Sequence, residues 1–127
     1  MELKEYFENV HGTGVLSTAD SNGRVDSAIY SRPHVMDDDT IAFVMRERLT
    51  HHNLQSNPGA AYLFIEDGGG YKGVRLFLTK IREEKDSELA DELKRRYLSP
   101  EEDRAKGPKY VVYFRVDKQL PLIGSGE

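Results

Sequence analysis

The sequence contains no cysteine. Disulfides, thiolate nucleophiles and thiolate metal sites are therefore excluded, and the absence fits a cytoplasmic setting. Positive charge is not in excess either. Eighteen lysines and arginines stand against 22 acidic residues, for a net charge of −4, whereas a general nucleic-acid binder needs a basic footprint. No run approaches the roughly 20 apolar residues that span a bilayer. The opening "MELKEYFENV" is acidic and amphipathic, unlike a signal peptide. No serine sits in a G-x-S-x-G setting, and the G-x-G-x-x-G spacing of "GGGYKG" (68–73) leads into a strand rather than opening a helix, so it is not a nicotinamide fingerprint. No repeat or linker divides the chain. Its 127 residues, 38% apolar and 31% charged, suit one domain over 1–127 with a single core.

Turn and period signals then place the elements. Leu3, Tyr6, Phe7 and Val10 recur at helical spacing and end at "HGTG". "GVLSTA" reads as a strand, Asn22-Gly23 as a hairpin turn, and "VDSAIYSRPHV" as the return strand, with Pro33 at its end or edge. "DDDT" turns into a third strand, "TIAFVMRE", giving an antiparallel meander. Thr50 is placed to cap a short helix through "HHNLQSN", which Asn57-Pro58-Gly59 ends. "AAYLFIE" and "YKGVRLFLTKIREE" follow as strands, the second with a bulge near Thr79 or Lys80. "DSELADELKRRYL" has helical spacing and dipole-matched charge, and "SPEE" offers a second cap. "YVVYFRV" is the sixth strand, and "DKQLPLIGSGE" a tail. Six hairpin-joined strands with short helices predict a mainly β fold, a closed or half-closed antiparallel barrel.

"RERLTHHNL", residues 46–54, concentrates the chemistry. His51 and His52 are sequence neighbours and point about 100° apart on a helix, so they do not converge on one metal ion; both read as solvated. An anion grip suits the stretch better. The first amides of a helix starting at Thr50 lack chain partners and carry partial positive charge. A phosphate there would meet those amides, the Thr50 hydroxyl and the guanidinium groups of Arg46 and Arg48, which share a side at strand spacing. The alternative, equal on composition, leaves both arginines exposed and paired with Glu47 or Asp67.

The order of these elements resembles the FMN-binding split-barrel family related to pyridoxamine 5′-phosphate oxidase. The hairpin with "NGR", then "IAFVMRERLTHHNLQSNP", an apolar strand and "YKGVRLFL" carry the likeness, over roughly residues 3–122. The resemblance implies a six-stranded split barrel and a homodimer with FMN at the subunit interface. It places the phosphate at Arg46, Arg48, Thr50 and His51. Ala28, Ile29, Tyr30 and Ser31 would line the flavin ring, with Val44 and Met45 from the third strand. Lys72, Gly73 and Arg75 would face the cofactor from the fifth strand. Tyr30 is open to stacking, to hydrogen bonding, or to an ordinary strand role.

Two departures matter. Many members carry a lysine where Thr50 stands, so the arginines must meet the phosphate charge. The tail also lacks the arginine-containing signature of true pyridoxamine-phosphate oxidases. The resemblance thus implies a flavoprotein, an oxidoreductase or electron carrier reduced by a small molecule or a protein and acting on a small substrate. A non-catalytic flavin-binding or stress-related module, or a related barrel holding haem or a deazaflavin, is the alternative. Leu120, Pro121 and Leu122 are expected to cross toward a partner's flavin.

Overall fold

The computed structural model describes residues 2–86, 89–90 and 100–124. Its elements run α1 (Leu3–Asn9), β1 (Gly12–Ala19), β2 (Val25–Ile29), β3 (His34–Asp37), β4 (Thr40–Arg46), α2 (Leu49–Ser56), β5 (Gly59–Glu66), β6 (Gly73–Lys85), α3 (Pro100–Ala105) and β7 (Lys109–Pro121). All pairings are antiparallel, in one sheet of order β2-β1-β5-β6-β7-β4-β3. β2 and β3 are the two edges, so the barrel stays open.

Period-2 alternation sends one face of each central strand inward. Leu16, Ile41, Phe43, Tyr62, Phe64, Leu76, Val112 and Phe114 fill the interior with almost no exposure. Leu3 and Phe7 of α1 close one end of it. Phe7 meets Phe64 edge-on at a centroid distance of 5.3 Å. Burial of one such side chain is worth about 1.5–3 kcal/mol.

Seven strands form where the sequence predicts six. The expected return strand is interrupted at residues 30–33, and its two halves serve opposite sheet edges. Val25–Ile29 pairs with β1, and His34–Asp37 with β4. Pro33 donates no backbone bond and cannot continue a ladder, so the chain crosses over there. The Asn22-Gly23 hairpin forms as expected. Gly23 adopts φ +82° and its amide meets the Asp20 carbonyl at 3.0 Å, a turn closed by a left-handed glycine.

The expected bulge in β6 lies between Lys80 and Arg82, and a second irregularity falls opposite Phe77 and Leu78. The first turns Ile81 outward to 48% exposure. The predicted tail instead begins as strand: β7 continues to Pro121 opposite Val74. The helix expected over 86–98 lies outside the described residues except at its start, where buried Ala90 packs on Ala42, Val111 and Tyr113. Ser99, the second expected cap, is also outside them, while Pro100 opens α3 as a first helical residue. Among the described residues no helix is long and apolar enough to cross a membrane.

Candidate functional site

An open sheet leaves a seam. Among the described residues, β4 has no partner on its β3 side beyond Ala42, and β2 has none on the side away from β1. Their backbone N–H and C=O groups remain available along both borders. A groove of about 450 Å³ runs along this seam. β2 and the crossover after it supply Asp26, Ala28, Ile29, Tyr30, Ser31 and Arg32. β4 and the chain after it supply Phe43, Val44, Met45, Arg46, Arg48 and Thr50. Lys106 and Lys109 complete the basic lining.

Nine of the thirteen sequence-predicted residues therefore share one groove: Ala28, Ile29, Tyr30, Ser31, Val44, Met45, Arg46, Arg48 and Thr50. His51, Lys72, Gly73 and Arg75 lie elsewhere. Lys72 and Gly73 enter β6, where the Lys72 carbonyl accepts from the Glu66 amide at 2.8 Å. Arg75 clasps the C-terminal strand: Nε donates to the Pro121 carbonyl at 3.0 Å, and Nη2 to that of Gly124.

The helix start differs from expectation by two residues. Arg48, not Thr50, is the N-cap, and it makes no side-chain cap bond. The His52 amide is the first to find an acceptor in the helix, the Arg48 carbonyl at 2.9 Å. The amides of Leu49, Thr50 and His51 thus have no acceptor within the helix. Thr50 is buried in the first turn, its hydroxyl 3.5 Å from Asp26 Oδ2.

Arg46 and Arg48 do not act as a pair. Arg46 Nη1 donates to the Gly107 carbonyl at 2.8 Å, and its charge acts on Lys109 across the β4–β7 ladder. Burial, and then Arg46, holds the Lys109 ammonium pKa below its ordinary value. Arg48 is exposed, and its guanidinium makes no hydrogen bond or ion pair among the described residues. It faces Tyr30. Burial raises the Tyr30 phenol, the Thr50 hydroxyl and Arg48 partly offset this, and Asp26 adds to it. Arg48, Asp26, Thr50 and Tyr30 thus form one polar group of the lining, apart from Arg46 and Lys109.

His51 is the clearest departure from the sequence reading. It is buried, stacked on Tyr110 at 3.8 Å, with Nε2 3.0 Å from Glu83 Oε2. His52 remains exposed. Burial pushes the Glu83 carboxyl up, but bonds from Gln55, Lys80 and His51 outweigh it and bring its pKa down to about 2. A lowered native pKa means that this stability is full above the ordinary value of 4.5 and is lost as pH falls toward 2. Discounted for partial exposure, the loss is on the order of 1–2 kcal/mol. Denaturant titrations between those pH values should show it for the native chain and not for Glu83→Gln. An equal acid loss in both proteins would contradict it.

Tyr62 shapes the groove from within. Its buried hydroxyl donates to the carbonyls of Tyr30 and Ser31 at 3.0 and 3.1 Å. Gly14 makes the approach possible, because a methyl group there would lie 1.9 Å from that oxygen. Arg32 secures the next residue by donating to the Phe7 carbonyl at 2.6 Å. Tyr62→Phe should cost about 1–2 kcal/mol in unfolding free energy. Thermal or urea unfolding indistinguishable from the parent would show that the hydroxyl holds nothing.

The open antiparallel sheet, with its groove along the seam, is a split barrel. A family profile described as pyridoxamine 5′-phosphate oxidase matches residues 2–119, and the chain belongs to that family, as a relative of the oxidase rather than the oxidase itself. An FMN-binding protein from Syntrophomonas wolfei subsp. wolfei is 22% identical, over 97% of this chain and 85% of that one, with a TM-score of 0.76. An F420 reductase is 17% identical, over 91% and 94%, at 0.70. HutZ, the haem storage protein of Vibrio cholerae, is 20% identical, over 99% and 96%, at 0.64. No curated protein matches the chain. Likeness at these identities speaks for the fold.

Of the groove residues, the sequence reading omits Asp26, Arg32, His34, Phe43, Leu49, Lys106 and Lys109. Strand period offered one signal, since Asp26 alternates onto the face of Ala28 and Tyr30. Lys106 and Lys109 follow a loop far along the chain and carry no local signal.

Proposed function

We propose that the seam groove binds FMN and that the protein is a homodimeric flavoprotein, an oxidoreductase or electron carrier acting on a small substrate. One observation carries this reading. The exposed Arg48 guanidinium, with no partner among the described residues, sits at a helix start with three open amides, beside an apolar wall between two open sheet edges. That donor set suits a phosphate monoester attached to a planar aromatic ring. The volume also falls in the roughly 300–1,000 Å³ range of small-molecule sites.

In this reading Arg48, Thr50 and the amides of residues 49–51 hold the phosphate. Tyr30, Phe43, Met45, Ala28 and Ile29 enclose the ring. Ser31, Val44 and the strand borders offer polar backbone to its rim. Bound flavin supplies the redox chemistry, passing electrons from a small-molecule or protein reductant. The chain's part is to orient the ring, exclude water from one face and set local charge.

A second copy has a surface to use. Val25 and Ile29 are 76% and 70% exposed on β2, and Ile65 and Phe77 lie outward on β5 and β6, beyond β1. Pairing of two chains there would shelter apolar surface and wall the groove. Lys72, Gly73 and Arg75, remote from the groove of their own chain, would reach a flavin only across such an interface. Because relatives include F420 and haem proteins, the identity of the cofactor is the decisive question. Titration with FMN, followed by flavin fluorescence, should saturate at one flavin per chain, and the particle should have twice the chain mass. Saturation with haem or a deazaflavin but not FMN would transfer the reading to that cofactor.

A further inference from the structure

We infer that Asp26 is a specificity-determining residue of the groove, its carboxylate beside Thr50 and Arg48 weakening the hold on a doubly charged phosphate relative to a neutral ligand end. The inference rests on the flavin reading above. It concerns the balance of charge where α2 begins. One full positive charge, Arg48, and the partial charge of the helix start face this part of the groove. Arg46 is turned away to the Gly107 carbonyl, where its charge opposes that of Lys109. Against Arg48 stands one full negative charge, Asp26, on the groove side of β2.

Asp26 acts in two ways. Its charge opposes an incoming dianion directly, since like charges within a few ångströms disfavour each other. It also competes for the Thr50 proton: that hydroxyl lies 3.5 Å from Asp26 Oδ2, and a hydroxyl has a single proton to give. Removing the charge lifts the field, and removing the side-chain oxygens as well frees the donor. A carboxylate serving the sugar-alcohol chain of the flavin would behave differently, because its loss would harm every flavin that carries the chain.

Asp26→Asn keeps the shape and removes the charge. The parent and the variant should each be titrated with FMN and with riboflavin, which lacks the phosphate. FMN affinity should rise about tenfold in the variant, the scale of one like-charge contact a few ångströms apart in largely aqueous surroundings, while riboflavin affinity stays the same. Asp26→Ala should shift FMN in the same direction, which guards against an effect peculiar to the amide. Unchanged FMN affinity, or parallel weakening of FMN and riboflavin, overturns the inference. Failure of the parent protein to bind either flavin would instead overturn the flavin reading, and this inference with it.

Discussion

Arg48→Ala is expected to weaken FMN binding by about 1.5–3 kcal/mol, the scale of a charge-assisted hydrogen bond. The side chain is exposed and makes no hydrogen bond or ion pair among the described residues, so the fold loses little with it. Thermal stability without ligand should not move, whereas FMN affinity should. Riboflavin should be nearly indifferent to the change, because it brings no phosphate to the guanidinium. His51→Ala should show the opposite pattern. His51 stacks on Tyr110 and bonds Glu83, so its removal should lower stability with a milder effect on flavin affinity. FMN affinity unaltered by Arg48→Ala would put the phosphate elsewhere along the seam.

Phe43→Ala should destabilise the protein by about 3–5 kcal/mol, the range for removing a large aromatic from a packed interior. Phe43 is 2% exposed at the middle of β4. It meets Tyr62 at 5.0 Å, Tyr30 at 5.8 Å and Phe114 at 6.0 Å between ring centroids. The residue belongs to the core and to the groove wall at once, so its loss should loosen Tyr30 and the seam together. A lowered denaturation midpoint with an unchanged slope is the expected signature. A loss under about 1 kcal/mol would mean that neighbouring rings refill the space.

The hairpin at Asn22-Gly23, the amphipathic start of the chain and the bulge in β6 are local events, and local residue chemistry specifies them. The crossover at 30–33 is different. Pro33 announces a break, but which sheet edge His34–Asp37 joins depends on β4, and so on contacts absent from local sequence. The same division runs through the site. The strand and helix residues around 28–31 and 44–50 are legible because they adjoin the seam in sequence as well as in space. His51 escaped because its burial depends on Tyr110 and Glu83, both distant in the chain. Arg48 read as a strand neighbour of Arg46, yet the strand ends at Arg46 and the two side chains part. The long β7 was hidden because "DKQLP" lacks alternation; its place is fixed by pairing with β6.

The visible absorption spectrum of the purified protein, with mass identification of the compound released on denaturation, bears most directly on what the groove holds. A yellow protein with flavin bands that releases FMN, one per chain, is the expected result. A colourless chain that takes up no FMN from an excess would contradict the seam groove as a flavin site.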